Sequence, residues 1–550
     1  MKILPIKYFL IVLLSTIFGW PLPSNAKSPF EGMKIESIKI QNNDIFDLSD
    51  DNENGSFYKA ANYFHIRTKK IVIQNQLLFS IGDTYKQALI DESERILRQN
   101  KYITDAKIRA EMIDESVAIT IITDDSWSTK PTISFGHTGG KSNTSFGLKE
   151  DNFLGTGVQL GISFKKGVDR DSTILHLFDR QIGSSWYQFD AQHQINSDGH
   201  LNSIGISQPF YSYSTNNSFG VSFWDETKTD AFYSKGIPVY RYQSDLKFYE
   251  IFKGTTSDAF GGRLRHTLGY HWENNSFSAL VLESDGLSVN TVNFERLINS
   301  LPKNRTESYA YYKLEYLKNN YLTLTNIDKI ARVEDIYRGF SAYVSMGIGE
   351  TTNNLDGHVE SLMKIDSALQ YTNCLNKNML FRSNLFFRQD HIDHSGITNI
   401  ISGFDISLLI PQNNQFKIFT NLSMTNSKNS HLDQQNFLGG ELGFRGYPLR
   451  YASGSKVSQF TIEQRYYSPF NPLNLLNFGA AIFLDKGRVS GTNTLESLEQ
   501  KSFTSVGVGL RLTSNKSSKG DIIHFDISRP LDSEYDGRKW QFSLVAKSTF

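Results

Sequence analysis

The chain has 550 residues, with 57 basic and 57 acidic side chains and one cysteine, Cys374. Balanced charge offers no basic excess for gripping nucleic acid, and a lone cysteine excludes an intramolecular disulfide. The 39 Phe, 26 Tyr, 6 Trp and 40 Gly against only 13 Pro favour many strands joined by polar turns.

Residues 1–26 read as a secretory signal: Lys2 and Lys7 open it, Tyr8 to Trp20 is apolar but too short to span, and Ser24-Asn25-Ala26 is a small-x-small cleavage site. The mature chain is expected to start near Lys27, with no cysteine there to carry a lipid anchor. Beyond the signal no run reaches the about 18 apolar residues of a spanning helix. A spanning barrel remains, because strands that alternate lipid-facing and lumen-facing residues average to a soluble hydropathy, and the mean here is -0.37.

A small mixed domain is expected first, over residues 34–127. Glu36 to Gln41 alternates as a strand, and Asp44 to Gly55 is an acidic loop whose Asp50-Asp51-Asn52-Glu53-Asn54-Gly55 imitates the start of a calcium loop. The twelfth position of that loop is Ala61, where a bidentate Glu is needed, so calcium is not expected. Thr68 is placed to cap a helix through Leu77, although Ile71 and Ile73 also alternate as in a strand; Asp83 is placed to cap a helix through Leu97. Strands over Lys107 to Met112 and Ser116 to Thr123 complete the order β-α-α-β-β. The string His65-Ile66-Arg67-Thr68, Gln76-Leu77-Leu78-Phe79, Gly82-Asp83, Glu92 to Arg98 and Asp125-Ser126-Trp127 resembles a POTRA domain of outer-membrane assembly proteins. That resemblance implies a periplasmic module binding extended substrate or accessory proteins by strand addition; a plain spacer is the other reading.

Residues 131–550 show recurring strand-length runs and no helical period. Thr132 to Lys149 reads as a first strand weakened by Gly136, Gly139, Gly140, Ser142 and Asn143, and Asp285 to Leu301 as a long loop or plug-like insertion. The last five runs alternate most cleanly. Gln459, Thr461, Glu463 and Arg465 oppose Phe460, Ile462 and Tyr466; Asp485 and Gly487 share a face with Phe483; and Trp540, Phe542, Leu544 and Ala546 lead to a terminal Phe550. The export signal, the aromatic run ends and the final Phe resemble an outer-membrane barrel, with Trp540, Phe542, Leu544 and Phe550 as its carboxy-terminal assembly signal.

Phe437 to Tyr451 holds four glycines and a proline, so Arg445 sits in a sharply bent loop between Phe444 and Gly446-Tyr447. A guanidinium in a lumen needs acceptors for its fork of donors, and the sequence offers Asp485 and Glu463. Phe444-Arg445-Gly446-Tyr447 is similar to the sixth-loop motif of the superfamily of outer-membrane insertases and two-partner secretion transporters that includes BamA and TamA; Phe483-x-Asp485-x-Gly487 is similar to its partner motif. Ser505 to Arg511, Phe525 to Leu531 and the early Leu148 to Gly157 and Ser207 to Tyr211 add to the resemblance. It implies a barrel of 16 antiparallel strands, against roughly 18 or 19 runs counted from the alternation. It departs from the insertases in showing one POTRA-like domain.

The expected protein is therefore a non-enzymatic bacterial outer-membrane barrel that inserts or translocates proteins, with lipid an open alternative as cargo. Its expected partners are outer-membrane lipid, extended substrate proteins and accessory proteins at the POTRA-like domain, without cofactor, metal or nucleic acid. A passive channel or surface-structure barrel is the alternative. The pair of Arg445 and Asp485 reads first as a strut for the loop and second as a conformational latch. No Gly-x-Ser-x-Gly, His-Glu-x-x-His or phosphate loop occurs, and His391-Ile392-Asp393-His394 reads as a hairpin tip more than a metal site.

Overall fold

The computed structural model describes residues 28–550 apart from 139, 281–300, 354–356, 376–378, 441–442, 493–496, 515, 518–520, 534, 536, 538 and 548. The expected signal at 1–26 and all but the last residue of the expected insertion at 285–301 lie outside the described residues.

The amino-terminal part folds around a three-stranded sheet in which Ser116–Asp125 is central, parallel to Lys34–Asn43 and antiparallel to Ile103–Ile113. Alternate residues of the central strand, Val117, Ile119 and Ile121, are buried against Ile73, Ile90 and Leu97 from the helices Lys70–Asn75 and Gln87–Arg98. Neither helix takes the cap its sequence suggests. Thr68 spends its hydroxyl on Asp125 (3.0 Å) and the second helix begins at Gln87, while Asp83 accepts from the Ser80 amide (2.8 Å) in the preceding turn. A third helix, Ser56–Phe64, grows out of the acidic loop; there Glu53 accepts from the Asp47 amide (2.7 Å) and faces Lys516, so the loop satisfies its own polar groups.

From Thr129 onward the chain forms one large antiparallel sheet of about twenty strands with a barrel fold. This corrects the expected sixteen. Sixteen was what the resemblance implied; hydrogen-bonded hairpins between Thr129 and Gln208 need only 8 to 10 residues per strand, so six strands fit there. The supposed first strand, 132–149, is two: Thr129–Thr138 pairs with Lys141–Glu150 across a tight turn, and Gly140 (φ 77°) supplies the left-handed residue that turn needs. Three long strands follow, of 18, 23 and 18 residues.

Strand order runs through sequence neighbours to Gln541–Lys547 and returns to Thr129–Thr138, where among the described residues one pair is bonded, Leu544 with His137. The same closing strand pairs with its other neighbour all the way from Ser528↔Gln541 to Ile522↔Lys547.

The sheet is inside out relative to a soluble protein. Ile348, Ile482 and Leu510 are 62–70% exposed on the outer face, while Glu463, Asp485 and Arg511 inside are 0–5% exposed. A soluble sandwich would bury the first set and expose the second.

Candidate functional site

The charged interior is organised by cross-strand rows. Thr461, Asp485 and Ser505 lie side by side on three adjacent strands, and the next row is Glu463, Phe483 and Gly507. A Cβ at Gly507 would lie 2.4 Å from the Phe483 ring, so only glycine lets that ring lie against the wall. Gly487 plays the same part for the loop, since a Cβ there would meet Leu438 at 2.5 Å and Phe444 at 3.0 Å.

The loop 429–455 enters this space and lays Arg445 on the prepared surface. Its guanidinium stacks 3.4 Å from the Phe483 ring centroid and donates in a fork to Asp485, Nε to Oδ2 at 2.7 Å and Nη2 to Oδ1 at 2.8 Å. Nη1 donates to Glu463 Oε1 at 2.5 Å, and the other oxygen of Glu463 accepts from Arg465 Nε at 2.9 Å. Thr461 Oγ1 donates to Asp485 at 2.9 Å, and Ser505 Oγ donates to the Arg445 carbonyl at 2.6 Å. Gly446 (φ 89°) makes the bend, with Ser505 too close for any added Cβ. Phe444 and Tyr447 stack on each other (5.2 Å) and are both buried; the Tyr447 hydroxyl donates to Asp532. The fully satisfied fork is what makes a buried guanidinium tolerable here.

A second arginine ties the loop to the opposite wall. Arg450 forks onto Asp169 at 2.8 and 2.7 Å and stacks on Tyr233. These hydrogen bonds hold the Asp169 carboxyl below its ordinary value. Nothing in the order of the sequence pairs residues this far apart, and Arg450 escaped notice for that reason. Arg465 and the pair Arg511 and Asp526 (2.6 Å) were likewise visible only as lumen-face charges without partners.

The other mouth is filled by a hairpin, Tyr321–Thr325 with Val333–Tyr337, inserted between two barrel strands. At its tip Asp328 takes a fork from Arg382 (2.8 and 2.9 Å), and the Asp328 carbonyl accepts from the Phe550 amide (2.7 Å). At its base Asp335 takes a fork from Arg98 of the amino-terminal domain (2.8 and 2.7 Å), and Arg95 lies over Tyr321. Phe550 turns inward and packs on Tyr467 and Ile330. Trp540 and Phe542 are exposed outside, and Leu544 supplies the single seam pair. A polar cavity of about 480 Å³ remains between loop and hairpin, lined in part by Arg382, Asp405, Arg445, Glu463, Arg465 and Lys547.

The amino-terminal domain docks through its own buried junction. Asp125 accepts from the Thr68 amide (2.7 Å) and hydroxyl and from Asn42, and Asn152 of the first barrel turn donates to Thr68 Oγ1 (2.9 Å). Gly155 (φ 73°) passes so near the Arg67 carbonyl that a Cβ would sit 2.4 Å from it. Thr68→Val removes a hydroxyl that donates to Asp125 and accepts from Asn152. It is expected to cost about 1–3 kcal/mol of docking, seen as faster proteolytic release of the domain at an unchanged barrel. The His391 to His394 segment forms a strand end and turn, with His394 beside Glu360 (3.1 Å).

No family model and no curated protein matches the sequence. Among solved structures the chain is similar to BamA from Haemophilus ducreyi lacking POTRA domains 1-3, at 13% identity over 94% of this chain and 84% of that one, with a TM-score of 0.40. It is also similar to CdiB from Escherichia coli, at 12% identity over 94% and 76% of the two chains with a TM-score of 0.44. CdiB from Acinetobacter baumannii matches at 11% identity over 93% and 73%, with a TM-score of 0.39.

Proposed function

We propose that this chain is a closed transmembrane barrel of the bacterial outer membrane, carrying a POTRA-like domain in the periplasm, and that it inserts or translocates polypeptide. The carrying observation is the inside-out sheet: large apolar side chains exposed outside, paired charges buried within. Lipid is the solvent in which that arrangement is stable. Strands of 8 to 10 residues suit one crossing, which takes about 9–11 residues.

Polypeptide is the favoured cargo because the seam offers strand edges. A net backbone hydrogen bond is worth about 0.5–1.5 kcal/mol, so a seam with one bonded pair among the described residues is weaker than the neighbouring ladders of seven and ten pairs. An incoming strand can replace it with a fuller ladder, and edge strands of the amino-terminal sheet can hold the same extended substrate beforehand. Depletion in cells is expected to lower the amounts of other outer-membrane barrels or secreted polypeptides in a quantitative proteome. An unchanged proteome with altered leaflet lipid would make lipid the cargo.

The polar lining of the interior favours a second reading, a passive channel. Loop and hairpin fill the lumen from opposite ends, so the intact protein is expected to show little steady current in a planar bilayer. Removing residues 321–337 is expected to raise it several-fold while the barrel stays folded. Steady conductance of the intact chain, with other barrels unaffected by depletion, would favour the channel.

A further inference from the structure

The helix Ser56–Phe64 has two apolar faces, and only one is covered. Tyr58 and Ala61 pack with Ile45, Phe46, Trp127 and the barrel-turn residue Leu475. The rest of its surface presents Phe57, Ala60, Tyr63 and Phe64, with the three aromatics 55%, 83% and 72% exposed; Phe57 sits at the border, edge-on to Phe46 (6.3 Å) and Tyr58 (5.4 Å). Tyr63 and Phe64 lie edge to face with each other (5.3 Å) outside the buried clusters. Their position suggests what covers them.

The turn that receives the helix, 468–476, belongs to the barrel rim and is itself apolar on the outside. Phe470 and Leu473 are exposed, and Phe470 stacks on Phe478 (5.9 Å), the first outward ring of the strand that also presents Ile482. The helix thus meets, through Leu475, the rim turn whose exposed Phe470 and Leu473 adjoin the barrel's apolar outer wall. The docking is firm: Trp127 donates its amide to the Lys516 carbonyl (2.8 Å), and Lys516 Nζ donates to the Ile45 carbonyl (2.8 Å).

We infer that the helix Ser56–Phe64 is an interfacial anchor that lays Phe57, Tyr63 and Phe64 into the periplasmic leaflet of the membrane around the barrel. The inference rests on the outer-membrane reading. Amphipathic aromatic rings favour the headgroup boundary, and a short helix bound to the rim needs no spanning length to reach it. The partner is a glycerophospholipid surface met through its apolar boundary: Lys59 flanks the exposed face, but Asp50 and Asp51 precede it, so the patch carries no cationic excess to select an anionic headgroup. Anchoring there would fix the domain's tilt beneath the seam.

The test uses the full chain in vesicles of phosphatidylethanolamine and phosphatidylglycerol, in a Cys374→Ser background. A spin label is placed at Phe64→Cys or, as a control, at Asp114→Cys, whose turn lies about 30 Å along its strands from the barrel. The label at 64 is expected to be several-fold more accessible to oxygen than to a water-soluble nickel chelate, and the label at 114 the reverse. Phe57→Ser with Tyr63→Ser is expected to return the label at 64 to water without changing the barrel's resistance to SDS. Equal nickel access at 64 and 114 in vesicles that float with the protein overturns the anchor. Protection that grows with protein density points to a second copy, and protection found only in native membranes points to a protein partner; both overturn it. Protein that fails to float with the vesicles overturns the barrel reading itself.

Discussion

Arg445→Ala is expected to cost about 3–5 kcal/mol of barrel stability, because it strips a buried charge cluster of its central cation. Asp485 would keep only Thr461 as a side-chain donor, Glu463 would keep only Arg465, and the Phe483 ring would lose the guanidinium that covers it. Against a total stability of about 5–15 kcal/mol for a folded domain, such a loss is visible as lower folded yield and faster cleavage of the loop. Arg445→Lys rescues little in this scheme: an ammonium cannot donate in a fork to Asp485, stack flat on Phe483 and reach Glu463 at once. Asp485→Ala is expected to resemble Arg445→Ala, and the double variant to add little to either. Fully additive losses in folded yield and loop cleavage would show that the two side chains act independently, and the pairing would be overturned.

The contact of Arg445 with Asp485 and Glu463 could be read from the sequence because the strands around it alternate cleanly. Once Thr461, Glu463 and Arg465 share a face, strand pairing brings Asp485 and the loop arginine to it. Glycine was read less well. Gly139-Gly140 looked like weakness in one long strand, when a two-residue turn between Thr138 and Lys141 is the commoner use of such a pair. The helix Ser56–Phe64 was not expected, because it follows directly on the acidic loop without a side-chain cap and leaves Phe57, Tyr63 and Phe64 exposed. Thr68 carried a sound capping signal that tertiary structure overrode, since Asp125 and Asn152 compete for the same hydroxyl. The hairpin 321–337 was hidden for another reason: strands of 5 residues barely register as alternation, and the Asp328 to Arg382 and Asp335 to Arg98 pairs join segments with no local relation.

Loop and hairpin together suggest why the seam is the place where the barrel yields. Arg445 and Arg450 brace two walls through the loop, and the hairpin braces the opposite mouth between Arg98 and Arg382. Phe550, turned inward, pins the end of the closing strand to the hairpin. Deformation then concentrates where pairing is thinnest, between Thr129–Thr138 and Gln541–Lys547.

A disulfide across that line tests the central claim most directly. His137 and Leu544 are direct partners in an antiparallel pair, and such partners lie about 4.5–5.5 Å apart at Cα, within disulfide reach. In cells depleted of the native protein, His137→Cys with Leu544→Cys in a Cys374→Ser background is expected to lock the seam under oxidising conditions. Assembly of other outer-membrane barrels or export of secreted polypeptide should then fall to the depleted level and recover on reduction, while each single cysteine variant stays active. Undiminished assembly and export with the seam quantitatively cross-linked would contradict the claim that this seam opens to receive polypeptide.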